Sequence, residues 1–318
     1  MAARARSTRL GYLLAASAAA MWALNGSLAR FLLDDGVSAL RLAQMRSLLA
    51  WAILLAAIGL SRPGLLRVDR SDVPKLAFLG VVGLAGVHAT YFFAIHRLEI
   101  GVALTIQYLG PLLILLWLAL AHGRRLARGL WGAATLSLAG CFLVVRAYDV
   151  SGLDWLGLAA AFGSAVTFAI YLVGSERAGW RYEPVTTLAW AFGFATLFWA
   201  IVQPLWLFPF HRLDSVGNIA LALGVAIVGT LLPFVCMVAA VRHIPASRAA
   251  VVATLEPVLA AVFAWAIHGE GLSAVQVGGG LLVVAAVIWV QLQREVSDAE
   301  IAPEHASTRR RRALAVRA

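Results

Sequence analysis

The sequence predicts an all-α integral membrane protein: ten transmembrane helices arranged as two inverted five-helix repeats. Three observations lead there. Of 318 residues, 62% are hydrophobic and 13% charged, with mean hydropathy +0.85, where a soluble domain carries about 25% charged residues. The apolar residues come in blocks near the ~20 needed to cross a bilayer. They are apolar all round, without the 3.6 or period-2 alternation of a soluble fold. Finally, a constant shift of 146 residues lays Pro111 on Pro257 and brings the two halves into register.

Taken in order, the apolar runs place spans at Leu10–Leu33, Ser38–Leu60, Pro74–Ile95, Ile100–Ala121, Arg128–Arg146, Asp154–Ser175, Pro184–Leu207, Val216–Ala240, Ser247–Ile267 and Leu272–Gln293. Gly, Pro, Asp or Arg marks most of the short connections. The first run follows Arg4, Arg6 and Arg9 and is Ala-rich, like a secretory signal peptide. It continues to Leu33, longer than a signal core, and is expected to be a membrane span. Residues 1–9 are expected to be a cytoplasmic segment, 10–146 and 154–293 the two repeats, and 294–318 a basic, disordered cytoplasmic tail.

The formal charge is +10, and of 26 basic residues only Lys75 is not Arg. With the N-terminus inside, the outer segments hold Arg30, Arg41, Arg97, Arg146 and Arg212, and Arg46 lies within a span. The other 20 of the 26 basic residues fall inside. The positive-inside rule therefore puts both termini in the cytoplasm. The charges are spread over short loops and a tail, with no basic face interleaved with aromatics, so nucleic acid is not an expected partner. Cys141 and Cys236 sit in apolar blocks without metal or disulfide spacing. No metal or cofactor is expected, and the expected surroundings are the lipid bilayer and a small-molecule substrate. Nothing in the chain speaks to oligomeric state.

The 146-residue shift also lays His122-Gly123 on His268-Gly269, Leu10-Gly11 on Leu156-Gly157, Gly83 on Gly229 and Gly132 on Gly278. Five is odd, so the second copy enters the membrane from the opposite side. Inverted repeats are the recurrent plan of secondary transporters, with the substrate site near the midplane between copies. Both copies also resemble the EamA-type unit of the drug/metabolite transporter superfamily. The resemblance is carried by Met21-Trp22-Ala23-Leu24-Asn25-Gly26-Ser27, Arg46, Gly110-Pro111, Ala169-Ile170-Tyr171, the stretch 255–265 (LEPVLAAVFAW) and Gly269-Glu270, and spans residues 10–292. One departure is Gly123-Arg124, where the family usually has Gly-Glu. The resemblance implies export of amino acids or related small metabolites, usually across a bacterial inner membrane.

An ionisable group deep in a span costs roughly 2.5–3.5 kcal/mol on insertion scales and is a functional candidate by default. Glu256, about midway along the ninth span and directly before the helix-breaking Pro257, is the first such candidate. It could carry a proton, contact an ammonium group, or only shape the helix. Arg46 lies about eight residues into the second span, on the order of 12 Å deep, and must meet a carboxylate, carbonyls or substrate. Arg30 and Arg41, beside Asp34 and Asp35, are expected to snorkel and pair locally. His88 and Tyr91 share a face of the third span. Gln107 and Tyr108 precede the fourth-span break at Pro111. Trp22 and Asn25 share a face of the first span; Tyr171 occupies Asn25's place in the second copy, and Trp190 that of Gln44. These groups suit a zwitterionic or aromatic metabolite. Glycines 80, 83, 86, 278, 279 and 280 suggest close helix packing. No ATPase motif is present, so a gradient, with a proton as candidate coupling ion, or exchange would drive transport. An enzyme acting on a lipid or small hydrophobic substrate is the rival class, but no HExxH or GxSxG set occurs.

Overall fold

A computed structural model describes residues 7–124, 126–149, 154–209, 215–269 and 271–293. The described residues form ten spans, all helical. Span 1 is α1 (Thr8–Asp34) and span 2 is α2 (Ala39–Ser61). Span 3 is α3 (Val73–Phe78), a π-helical segment (Leu79–Ala85) and α4 (Gly86–Ile95). Span 4 is α5 (Ile100–Gln107) with α6 (Gly110–His122), and span 5 is α7 (Arg128–Val144). Spans 6 and 7 are α8 (Trp155–Gly179) and α9 (Pro184–Val202). Span 8 joins α10 (Val216–Ala226), a second π-helical segment (Ile227–Leu231) and α11 (Leu232–Ala240). Span 9 is α12 (Ala246–Ala253) with α13 (Leu255–His268), and span 10 is α14 (Ala274–Leu292). Eight spans have the length and apolarity to cross a membrane; α7 is a shorter apolar helix, and α1 runs for 27 residues.

The ends are set by local chemistry. Ser38, Asp154, Ser215 and Ser273 each accept a backbone N–H bond that an N-terminal turn cannot satisfy internally. Asp154 Oδ1 takes the Gly157 amide at 2.7 Å. That bond, aided by Arg97, holds the Asp154 carboxyl below its ordinary range. Left-handed glycines, Gly123 (φ 60°) and Gly269 (φ 70°), stop α6 and α13.

The chain departs from the expected spans where backbone chemistry interrupts them. Span 5 ends at Val144, because Arg146 turns left-handed (φ 55°) and pairs with Asp149 at 2.8 Å. Span 7 ends at Val202, before Pro204 starts a 3₁₀ turn at Leu205–Leu207. Spans 4 and 9 are each broken in two, at Tyr108–Leu109 and at Thr254, a few residues before the expected breaks at Pro111 and Pro257.

Repeat symmetry is visible in the backbone. The π segment of span 8 lies 146 residues after the second part of that in span 3, and the break at Thr254 lies 146 after that at Tyr108. Packing obeys the same exchange. Span 1 packs on spans 8 and 9, and span 6 packs on spans 3 and 4; spans 2 and 7 pair with each other, as do 5 and 10. Each contact maps onto another, or onto itself, when the halves are swapped, which is the signature of a pseudo-twofold axis relating opposed copies. Small residues make the crossings tight. Gly140 and Gly279 bring spans 5 and 10 into backbone contact, Gly80 lies on the Ala191 carbonyl, and Gly83, Gly86 and Gly280 also abut neighbours; Gly278 does not. Large hydrophobics such as Leu60, Leu120, Trp155 and Leu292 point outward, as a lipid-facing surface requires.

Candidate functional site

The seam between repeats is built from the two kinds of interruption. In span 9 the helix breaks at Thr254, so Glu256 lies in the first turn of α13, with Pro257 beside it. Glu256 thus lies near the middle of span 9, as expected, but at the start of its second half-helix. A half-helix N-terminus carries partial positive charge, which favours a carboxylate there. Pro257 has no N–H to leave unsatisfied at that end. The matching break in span 4 places Tyr108 as the C-cap of α5, with Gly110 and Pro111 opening α6. Tyr108 donates its hydroxyl to the Glu256 carboxyl, and Tyr91, Cys141 and Arg46 lie within electrostatic reach of it. Groups from spans 2, 3, 4 and 5 of one repeat thus converge on a carboxyl of the other. Glu256, Tyr91, His88, Gln107 and Trp22 all keep part of their surface open despite their depth, as residues around a central cavity do.

The π segments supply acceptors to this seam. Gly229 O accepts from Arg46 Nη2 at 3.2 Å. Thr230 Oγ1 accepts from Arg46 Nε at 2.8 Å and donates its own hydrogen bond to Val225 O, five residues back, at 3.0 Å. In the other repeat, Leu84 O lies 2.8 Å from His88 Nδ1. A carbonyl only accepts, so Nδ1 carries a proton in this contact. Wide π turns are frequent at functional sites; here both serve polar side chains at equivalent depths. Arg46 is buried (7% exposed), it donates to Thr230 and Gly229, and Glu256 is the acid whose field it feels.

Asn25 and Tyr171 occupy symmetry-related places and do related things. Asn25 sits against Gly229, and Tyr171 against Gly83. Asn25 Oδ1, Tyr171 Oη and Gln107 Oε1 are buried without a hydrogen-bond partner among the described residues. Trp22, His88, Tyr171 and Phe192 all contact the Phe234 ring, with centroids 5.3, 6.2, 5.3 and 5.5 Å away. Trp190 is placed elsewhere. Its indole donates to Leu66 O at 3.0 Å and lines a lateral groove between spans 2 and 7. Gln44, its counterpart, ties span 2 to the Trp199 and Gln203 carbonyls.

Three participants escaped the sequence reading. Phe234 looked like one apolar residue among many, although the 146-residue shift lays it on His88. Thr230 was hidden because only π geometry aims it at Arg46. Arg248, counted among the inner basic residues although it falls within the expected span Ser247–Ile267, is buried (3% exposed) in α12 and reaches the Tyr12 hydroxyl at 3.4 Å. Arg41 bonds Gln44 and the Pro204 carbonyl. The Arg30 and Asp34 side chains and all of Glu270 lie outside the described residues.

Known proteins carry the same plan. The profile of the EamA-like transporter family matches residues 9–146 and again 155–292. The threonine/homoserine exporter RhtA of Escherichia coli K12 is 32% identical over 254 residues, 80% of this chain and 79% of that one. The uncharacterized inner membrane transporter YicL of Salmonella typhimurium LT2 is 26% identical over 297 residues, 90% of this chain and 96% of that one. A solved crystal structure superposes with a TM-score of 0.73 over 90% of this chain and 99% of its own, at 21% identity, and so shares the fold. With two matched copies that together span most of its length, this multi-pass membrane protein belongs to the EamA-like transporter family.

Proposed function

We propose that the protein is a secondary exporter of small zwitterionic metabolites, amino acids in the first place, working across a bacterial inner membrane with both termini in the cytoplasm. The observation that carries this reading is the convergence, at the seam of the two repeats, of a partly exposed carboxyl and a buried guanidinium from opposite copies, each within the other's electrostatic reach. Glu256 suits a substrate ammonium or a coupling proton, and Arg46 a substrate carboxylate. A carboxyl that must release its proton before it can hold a substrate ammonium makes binding of the two mutually exclusive, which couples their fluxes. The buried acceptors Asn25 Oδ1 and Gln107 Oε1 add places for an N–H or O–H of the cargo. The name of the relative RhtA makes threonine and homoserine the first compounds to try. The basic residues gathered on one side support the orientation.

The test is efflux of a labelled amino-acid panel from proteoliposomes loaded at two pH values. Wild-type protein is expected to move hydroxylated amino acids, and Glu256→Gln to lose the pH dependence while staying folded. Unchanged pH dependence in that variant removes the proton role. Turnover of a lipid with no solute flux overturns the transporter reading.

A further inference from the structure

Spans 2 and 7 lie on the pseudo-twofold axis, and the two ends of their interface differ. At one end Arg41 Nη1 donates to Gln44 Oε1 (3.0 Å) and Pro204 O (3.1 Å), Gln203 Nε2 donates to Leu40 O (2.9 Å), and Gln44 bonds the Gln203 carbonyl. The helices are zipped there. Toward the other end they part around a groove of about 430 Å³ lined by Trp51, Leu55, Leu66, Trp190, Phe194 and Leu197. Gly193 forms part of its floor, where a Cβ would come 3.0 Å from Trp51 Nε1. The volume falls in the usual range for a bound small molecule, about 300–1,000 Å³, yet the lining is apolar and the groove opens laterally.

The mouth of the groove has a different chemistry. Leu66 closes a 3₁₀ turn, Pro63–Leu66, held in place by the Trp190 indole on its carbonyl. Arg62 and Arg67 cap that turn at its two ends, both exposed, and neither has an ion pair among the described residues. The nearby acids are committed: Arg181 holds Asp69 at 2.6 Å and Asp72 at 2.5 Å. Two cations without an ion pair among the described residues therefore flank the turn that borders an apolar slot with two tryptophans, the residue type that favours the level of lipid headgroups. We infer that this groove is a binding site for one anionic phospholipid, an acyl chain between spans 2 and 7 and the phosphate at Arg62 and Arg67. The site goes beyond the transport reading and stands or falls separately from it.

Native mass spectrometry of the full chain, extracted from vesicles of equal phosphatidylglycerol and phosphatidylcholine, tests it. A basic side chain at a membrane surface favours anionic lipid by roughly fivefold. Wild-type protein should thus retain one phosphatidylglycerol with about 25-fold preference, and Arg62→Gln/Arg67→Gln should bring that preference near unity. Leu55→Trp and, independently, Gly193→Leu fill the slot from either helix and should abolish retention of both lipids; if one fails to fold, the other carries the test. Retention of both lipids equally by wild-type protein, or an unchanged preference in the double arginine variant, overturns the proposal. So does soluble glycerol phosphate displacing the bound lipid at equal concentration, which would mean that a free phosphate suffices.

Discussion

Gly229→Ala probes the seam at one methyl group. A Cβ there would overlap the Asn25 amide and come 2.8 Å from Asn25 Cβ. Rotating the Asn25 side chain relieves the amide overlap but not the contact with its Cβ, so span 1 must move away from span 8. Overpacking of this kind costs about 1–3 kcal/mol. Gly278→Ala makes the same chemical change on span 10 facing open space, and it gains the roughly 1 kcal/mol of helix propensity without a clash. Comparing the two variants cancels propensity and isolates packing, so Gly229→Ala should be less stable than Gly278→Ala by about 1–3 kcal/mol. In detergent, unfolding midpoints followed by tryptophan fluorescence measure the gap. Asn25→Ala removes the amide but keeps Cβ, and in the Gly229→Ala background it should recover part of the loss. Equal midpoints for the two glycine variants, or no recovery with Asn25→Ala, would refute the close approach of the repeats at this point.

Other expectations follow from the same contacts. Thr230→Val keeps the side-chain shape but strips Arg46 Nε of its acceptor, and should cost about 1–3 kcal/mol; a stability loss under 0.5 kcal/mol would mean that Arg46 does not depend on this bond. Asp154 has its carboxyl held low in the folded protein, chiefly by the Gly157 amide. The stability that it adds over Asp154→Ala should be full above the unfolded value near pH 4. That advantage should shrink as pH falls through the lower folded value, as melting curves between pH 2 and 6 would show. Arg181→Gln cuts an ion pair to Asp69 whose partners are 55% and 63% exposed, and for that pair the loss should be about 1 kcal/mol or less. It should also speed cysteine labelling at Ser175→Cys, a buried site, if Arg181 helps to hold the loops of the two repeats together.

Much of the fold was legible in the sequence because the bilayer imposes simple rules: apolar runs of fixed length, and charges outside them. The 146-residue shift marked both glycine caps, Gly123 and Gly269, and the helix breaks near Pro111 and Pro257. The π segments were not legible, since Leu79–Ala85 and Ile227–Leu231 read as ordinary apolar helix; their register depends on what packs against them. That same geometry hid Thr230 and the Gly229 carbonyl as partners of Arg46. Arg248 was counted with the inner charges because it lies at the start of its expected span, whereas packing against Tyr12 buries it. Trp190 was paired with Gln44 by the repeat, but the mates diverge: one zips the spans and the other borders a groove. The repeats are related in backbone and unlike in chemistry, and Glu256 faces a sequence equivalent, Gly110, that has no carboxyl at all.

The central claim is that Glu256 and Arg46 jointly recognise the two charges of a zwitterion. Solute counterflow of labelled homoserine into proteoliposomes tests it, with unlabelled competitors that keep one charge each. Homoserine should compete strongly, whereas butylamine, lacking the carboxylate, and butyrate, lacking the ammonium, should each compete at least tenfold more weakly. Competition by either at the strength of homoserine would contradict the account.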